Sequence, residues 1–136
     1  MNVLACHALA LNHQPSIMKY AVALVAILAA NANAADIQSG KDIFTTRCAS
    51  CHHVGPSARA AFGPQLNAVF GRKAGSTSDY RYSDAMKAST VVWDEATLRA
   101  FMQSPGKVVP GTKMRFWGMS NASQIDDLLA YLRTFQ

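Results

Sequence analysis

The segment Cys48-Ala49-Ser50-Cys51-His52 places two thiols three residues apart and an imidazole directly after the second thiol. A helical turn brings positions i and i+3 to one face, so both thiols can add to the two vinyl groups of a porphyrin edge. His52 can then reach the iron as the proximal ligand. The spacing is typical of covalent c-type haem attachment. It predicts thioethers at Cys48 and Cys51 and an axial iron ligand at His52.

Two other chemistries use a Cys-x-x-Cys pair, a dithiol redox motif and half of a zinc site. The redox motif is expected after a strand within a βαβ pattern, and the zinc site needs a second pair of ligands. The sequence has neither context, and its one other cysteine is Cys6. The motif therefore favours haem attachment.

The N-terminal part of the chain has the three parts of a secretory signal peptide. Lys19 precedes an apolar run over residues 20–30, which is followed by a small-x-small site at residues 32–34. The run is shorter than the roughly 20 apolar residues of a membrane-spanning helix. We expect cleavage after Ala34 and export to the periplasm, with an uncleaved membrane anchor as the alternative. Translation starts at Met1 or at Met18.

The predicted mature chain, residues 35–136, is long enough for a single domain. Removal of residues 1–34 takes away Lys19 and no acidic residue, so the formal net charge falls from +5 to +4. Mild basicity without a Lys/Arg cluster does not indicate nucleic-acid binding. It fits a monomeric protein with a basic surface that faces an acidic partner.

Apolar periodicity and capping residues predict an all-α domain of four to five short helices separated by long loops. Gly and Pro mark the loops, among them residues 53–77 and 107–119, and Pro105-Gly106 is expected to stop a helix. Ser83 and Asp94 are expected to be N-caps. The predicted helices cover residues 37–50, 83–88, 94–103 and 121–135.

Two features of this pattern need an explanation. Gly40 within the first helix costs about 1 kcal/mol relative to Ala, which a close crossing of two helices would explain. A chain of about 100 residues with such long loops buries only a thin apolar core. A haem buried at the centre would supply the missing apolar filling.

The second axial ligand has five candidates. Met86 and Met102 lie on predicted helices, where methionine more often fills a core, and His53 directly follows the proximal ligand and is poorly placed to reach the opposite face. Met114 lies in a loop, residues 110–114, that could fold over the ring. The full set is Met86, Met102, Met114, Met119 and His53.

The chain resembles the class I cytochromes c, the mitochondrial type and its exported bacterial relatives, over about residues 36–135. The resemblance implies the cytochrome c fold around one covalently bound haem c. The segments that carry it are Cys48 to His52, Gly63-Pro64-Gln65-Leu66, Phe70-Gly71-Arg72-Lys73, Tyr80-Arg81-Tyr82-Ser83-Asp84-Ala85, Trp93, Pro110 to Met114 and the last helix.

The resemblance also implies roles for single residues. Met114 would be the sulfur ligand opposite His52, and the carbonyl of Pro64 would accept a hydrogen bond from the His52 ring, which tunes the iron. Tyr82 and Trp93 would bond a buried haem propionate, with Arg72 near it. Gly40 and Phe44 of the first helix would cross Leu128 and Tyr131 of the last helix.

The sequence departs from the family pattern at two positions on the Met114 side of the haem. Phe101 stands where the family commonly has a tyrosine, and Met86 stands where it commonly has an asparagine. Both changes make this side less polar. The reduction potential of the family therefore cannot be carried over to this chain.

The expected function is that of a soluble one-electron carrier that cycles between Fe(II) and Fe(III) and is not an enzyme. Its partners would be a quinol-oxidising cytochrome complex, a terminal oxidase, a photosynthetic reaction centre or an exported dehydrogenase. The alternatives are an enzyme or gas sensor with an open sixth position and a haem subunit of a larger complex. The expected rim of the exposed haem edge is Arg47, Lys107, Lys113 and Arg115, with Phe116 close by.

Overall fold

Five short helices and long loops make up the structure, a computed structural model that describes residues 34–136. Within that range the regular elements are all helical, and a single isolated bridge pairs Lys73 with Val92. The predicted all-α architecture is therefore confirmed. The helices are α1 (Ile37–Arg47), α2 (Asp84–Ala88), α3 (Glu95–Gln103), α4 (Pro105–Val108) and α5 (Ala122–Arg133).

Most of the predicted signal peptide, residues 1–33, lies outside the described residues. From residue 34 onward, every helix is too short or too polar to cross a membrane.

Side chains cap the starts of the helices where the sequence predicts them. The Ser83 hydroxyl accepts a hydrogen bond from the backbone N–H of Met86 at 3.2 Å. Asp94 accepts one from the backbone N–H of Thr97 at 2.7 Å, and the Thr97 hydroxyl accepts one from the backbone N–H of Asp94 at 2.9 Å. These bonds satisfy N–H groups that have no partner within their own helix, so the caps fix where α2 and α3 begin.

The helix α4 corrects the expectation of a loop after Pro105-Gly106. Proline lacks an N–H, but the first N–H groups of a helix have no partner within the helix, and the fixed φ of proline suits the first helical position. Pro105 occupies this position, and the residue breaks α3 while it starts α4. The predicted ends of α1 and α5 also ran two to three residues too far, since these helices stop at Arg47 and Arg133.

The close helix crossing expected at Gly40 is present between α1 and α5. A Cβ atom added to Gly40 would lie 2.0 Å from the backbone oxygen of Asp127 and 2.8 Å from the Cβ of Tyr131. Beside this contact the rings of Phe44 and Tyr131 pack with centroids 5.6 Å apart. The absent side chain lets the two backbones touch, which positions the end of α1 and the haem-attachment motif that follows it.

Substitution Gly40→Ala is expected to destabilise the protein although alanine favours helices. The added Cβ must push α1 and α5 apart, and overpacking of this kind costs about 1–3 kcal/mol, against a gain of about 1 kcal/mol in helix propensity. The midpoint of urea unfolding should fall. Gly106→Ala is the matched control, because a Cβ at Gly106 meets no atom within 4 Å. A Gly40→Ala variant as stable as this control would contradict the crossing.

Candidate functional site

A cavity of about 460 Å³ lies within the apolar core of the described domain. This volume falls in the range of about 300–1,000 Å³ that is usual for sites that bury a small molecule or cofactor. Its walls include buried side chains from α3 and α5, such as Leu98 and Leu128. Every site residue expected from the sequence lines this one cavity, namely Cys48, Cys51, His52, Pro64, Arg72, Tyr82, Trp93 and Met114.

The haem-attachment motif forms a tight turn at the end of α1. The backbone N–H groups of Cys51 and His52 both donate to the carbonyl of Cys48, at 3.0 and 2.8 Å. This turn brings the two cysteines, which are half-buried, to the same wall of the cavity. Burial raises the pKa of the Cys48 thiol to about 11, while the nearby charge of Arg47 acts in the opposite direction. A free thiol at this position is therefore protonated at neutral pH.

The His52 ring is fixed by a hydrogen bond from its Nδ1 to the backbone carbonyl of Pro64, at 2.8 Å. A carbonyl can only accept, so Nδ1 carries the proton and Nε2 keeps its lone pair. Burial lowers the pKa of His52, although the bond to Pro64 acts in the opposite direction. The ring is thus neutral at neutral pH, the form in which imidazole binds a metal.

The loop around Gly63 packs directly on the His52 ring. A Cβ atom on Gly63 would lie 2.4 Å from Cε1 of His52 and 2.9 Å from Nε2. The loop is tied to the motif by two backbone hydrogen bonds, from Gly63 to the carbonyl of Cys51 and from Leu66 to that of His53, both 2.9 Å. The sequence marks Gly63-Pro64 only as a turn, and the need for a bare Cα here comes from the contact with His52.

The structure narrows the five candidates for a second ligand to three. Met86, Met102 and Met114 line the cavity. Met119 is buried elsewhere in the core, and the exposed His53 hydrogen-bonds the carbonyl of Arg59 through Nδ1 at 3.1 Å. Within residues 34–136 these three sulfur atoms are the thioethers that reach the cavity.

Met114 differs from the other two cavity methionines in its backbone. It lies in the loop between α4 and α5, whereas Met86 and Met102 lie in α2 and α3. Its N–H donates to the Thr112 hydroxyl at 3.3 Å, and Thr112 also lines the cavity. Thr112 was not among the site residues expected from the sequence; its place two residues before Met114 was the available signal.

Three polar side chains reach another part of the lining. The half-buried guanidinium of Arg72 donates to the backbone carbonyls of Asn67 and Gln65, at 2.9 and 3.0 Å. Burial lowers its pKa, while Tyr82 and Asp79 raise it. The Tyr82 hydroxyl pairs with Thr77 at 2.7 Å. These bonds hold the two side chains in place beside the cavity.

The third of these polar side chains is Trp93, which is buried and lines the cavity. Its ring packs against that of Phe101, with centroids 4.9 Å apart. Phe101 and Met86 are both buried and both contribute to the lining. The two positions at which the sequence departs from the family pattern are therefore part of the cavity wall, and each brings an apolar side chain to it.

The charge of the lining has one sign. Arg47, Arg72, Lys113 and Arg115 contribute to it, and no Asp or Glu of residues 34–136 does so. Of the rim expected from the sequence, Lys107 is the exception, since it lies on α4 and does not line the cavity. The potential inside is positive and suits a ligand that carries carboxylates.

The donor set fits a c-type haem. Two half-buried thiols lie on one wall, an imidazole whose Nδ1 is engaged by Pro64 lines the cavity, apolar side chains form most of the surface, and cations stand at its margin. Haem needs each of these, as thioether partners, an axial ligand, an apolar shell and counter-charges for its propionates.

Comparison with known proteins gives an independent assignment. The family model for cytochrome c matches residues 37–136. Cytochrome c2 of Rhodoblastus acidophilus is 46% identical over 103 residues, which cover 76% of this chain and 95% of that protein. Cytochrome c of Gibberella zeae is 43% identical over 98 residues, which cover 72% of this chain and 92% of that protein.

Among solved structures, cytochrome cH from Methylobacterium extorquens superimposes with a TM-score of 0.67 and 41% identity, over 73% of this chain and 98% of the other. A structural match at this identity supports relatedness as well as a shared fold. The chain belongs to the cytochrome c family, and it is an electron carrier whose c-type haem is held through Cys48 and Cys51.

Proposed function

We propose that the carrier works with both axial positions of its haem iron filled, by Nε2 of His52 and the sulfur of Met114. The observation that carries this proposal is that both side chains line the same cavity as the two attachment cysteines. The Nδ1 proton of His52 is engaged with Pro64, so its other ring nitrogen is free for a metal. A haem iron supplies a one-electron couple between Fe(II) and Fe(III).

The residues around His52 tune this ligand. The bond to the Pro64 carbonyl holds the ring in one tautomer and one orientation, and a ring whose N–H is so engaged is a stronger base. Gly63 keeps the ring from rotating, because the loop backbone lies directly against it. The imidazole therefore needs little rearrangement when the charge of the centre changes by one.

Methionine sulfur on the side of the haem opposite His52 favours the reduced state of the iron and raises its reduction potential. Phe101 and Met86 keep that side apolar, since they bring no hydroxyl or amide to the wall. Apolar surroundings disfavour the oxidised, more positively charged centre. Both effects act in the direction of a high potential.

The polar part of the lining would hold the haem propionates. We assign this role to Arg72, Tyr82 and Trp93. Arg72 and Tyr82 are already fixed by bonds to Gln65 and Thr77, so little side-chain entropy is lost when they receive an anion. The indole N–H of Trp93 is a donor only, which suits a carboxylate.

A filled sixth position leaves no place on the iron for a substrate, so we propose that the protein is a carrier and not an enzyme. The competing function, an enzyme or gas sensor with an open position, would require the Met114 loop to stay away from the haem. Three sulfur atoms line the cavity, which favours a closed centre.

The electron would pass through the basic margin of the cavity. Arg47, Lys113 and Arg115 are exposed there, and Phe116, which follows Arg115 in the chain, also lines the cavity. A basic margin suits an acidic partner and makes association fast and sensitive to salt. We propose partners of the classes expected from the sequence, which are a quinol-oxidising complex, a terminal oxidase, a reaction centre or an exported dehydrogenase.

The N-terminal segment and the extent of the folded domain both concern the location of the protein. We propose that residues 1–34 are a signal peptide and that residues 35–136 form the single mature domain in the periplasm. In support, residues Ala35–Gln136 form one compact unit. Lys19, the apolar run over residues 20–30 and the small-x-small site at residues 32–34 support export.

Substitution Met114→Ala tests the second ligand. The weak long-wavelength absorption band of ferric iron bound by methionine sulfur should disappear, and the reduced protein should bind carbon monoxide at neutral pH. The midpoint potential should fall by roughly 0.1–0.3 V, part of the roughly 0.8 V span over which axial ligands set haem potentials.

Met102→Ala is the matched control, because Met102 also lines the cavity but lies on a helix. It should keep the band and exclude carbon monoxide. An intact band in Met114→Ala together with its loss in Met102→Ala would reassign the ligand.

Substitution Gly63→Ala tests the support of His52. The added Cβ collides with the ring, and overpacking of about 1–3 kcal/mol should lower the melting temperature by roughly 5–20 °C in a domain of this size. The bond to Pro64 should weaken, which lowers the basicity of His52 and shifts the midpoint potential. Gly106→Ala, on the open surface of α4, should change neither quantity. A normal melting temperature and potential in Gly63→Ala would show that the ring does not depend on this contact.

A further inference from the structure

Two aromatic side chains stand in solvent beside the cavity. Trp117 is 103% exposed and Phe62 is 86% exposed, whereas the other large apolar side chains on the described surface, Ile37 and Val92, are about half exposed. Tryptophan and phenylalanine are the side chains that gain most from burial. Neither ring packs in the hydrophobic core of the described domain, so their exposure needs another explanation.

Trp117 shares a face with the basic margin. From residue 113 to 117 burial alternates: Lys113, Arg115 and Trp117 are exposed, whereas Met114 and Phe116 are half-buried. All of these residues except Trp117 contribute to the cavity lining. Successive side chains of an extended segment point to opposite sides. The indole therefore lies on the outer side of the segment that covers the Met114 side of the cavity, in line with two cations.

Phe62 lies on the edge of the same cavity, since its side chain lines the cavity and is also exposed. The loop that carries it comes from the His52 side, one residue before Gly63. Aromatic side chains thus stand on the two segments that bring the expected ligands. Lys113 and Arg115, which belong to the cavity margin, lie on the same segment as Trp117. Exposed aromatic side chains together with charged ones are typical of protein–protein docking surfaces.

Both aromatic residues are carried on fixed backbone. Gly118, at φ +95°, packs so closely that a Cβ would lie 2.1 Å from the carbonyl of Gln103, and the N–H of Met119 donates to the carbonyl of Met102 at 2.9 Å. The carbonyl of Phe62 accepts a hydrogen bond from the Tyr80 hydroxyl at 2.9 Å. Anchors held in this way lose little backbone freedom when a partner covers them.

We propose that Trp117 and Phe62 are the apolar anchors by which this carrier docks a redox protein whose docking face has acidic side chains around an apolar recess. The inference rests on the proposed function, because it assumes that electrons leave through this margin. The acidic character of the partner follows from the cations of the cavity margin, two of which lie on the segment of Trp117, and from the lack of Asp or Glu in the described lining. Tryptophan is one of the side chains that are enriched among residues that dominate binding energy.

The two apolar anchors change how salt affects the binding of the partner. At an ionic strength of about 0.15 M, charges farther apart than about 8 Å are largely screened, so a contact made by cations alone is weakened. Burial of an aromatic ring does not weaken with salt. The docked complex therefore persists at salt concentrations at which the basic margin alone releases its partner.

The test uses the holoprotein on gold electrodes coated with thiols that end in carboxylates, either alone or mixed with thiols that end in methyl groups. The mixed film presents the acidic and apolar chemistry of the inferred partner. Cyclic voltammetry gives the midpoint potential and the amount of adsorbed protein as salt is raised. Wild type should bind the mixed film about tenfold more tightly than the carboxylate film at about 0.15 M salt, a factor typical of one anchoring side chain.

The variants Trp117→Ser and Phe62→Ser should each lose most of this difference. Trp117→Ser, whose side chain lies outside the cavity lining, should also keep the midpoint potential and melting temperature of wild type. Ile37→Ser is the matched control, since Ile37 is exposed at the start of α1 and outside the cavity lining. It should behave as wild type. Equal binding of Trp117→Ser and wild type to the mixed film would overturn the inference, as would an equal loss in Ile37→Ser.

Failure of the proposed function would look different. An open sixth position would be seen in the spectrum of wild type and in its binding of carbon monoxide, before any film is used. A protein with a closed haem and no preference for the mixed film refutes the anchors alone.

Discussion

The hydrogen bond from the His52 ring to the Pro64 carbonyl joins the two parts of the chain that form the haem site. It exists because Gly63 has no side chain, which lets the loop backbone lie against the imidazole. The bond leaves Nε2 of His52 free for a metal, and it fixes the ring in the cavity wall. The loop and the motif also share backbone hydrogen bonds, so a shift of the loop would move the ligand as well.

A second glycine contact determines where the motif itself lies. Gly40 lets α1 touch α5, and the attachment turn follows directly on the end of α1. The two glycines thus have linked effects. Gly40 positions the helix α1, and Gly63 orients the His52 ring in the motif that follows this helix. The cost of glycine in a helix, about 1 kcal/mol, is offset by this backbone contact. The apolar side chains of α5 then form the wall that the cavity needs on that side.

The charges and the exposed aromatic rings extend the site to the surface. The lining carries cations and, in the described part of the chain, no carboxylate. Inside, these cations suit the propionates of a haem; at the margin, they suit an acidic partner. The alternating segment that ends in Trp117 serves both purposes, because residues 113–116 line the cavity and Lys113, Arg115 and Trp117 are exposed to solvent.

Patterns of neighbouring residues were sufficient to predict part of this structure. The spacing of Cys48, Cys51 and His52 determined the cofactor, because thioether attachment depends on a few neighbouring residues, and the caps Ser83 and Asp94 determined where two helices begin for the same reason. The sequence did not predict α4, because Pro105 can end one helix or start another, and only its surroundings decide between the two. Contacts between distant segments were likewise decided by the tertiary structure alone. They bring Gly63 onto His52, gather three methionines at one cavity and leave Trp117 in solvent, since each depends on how the chain packs and not on the residues next to it.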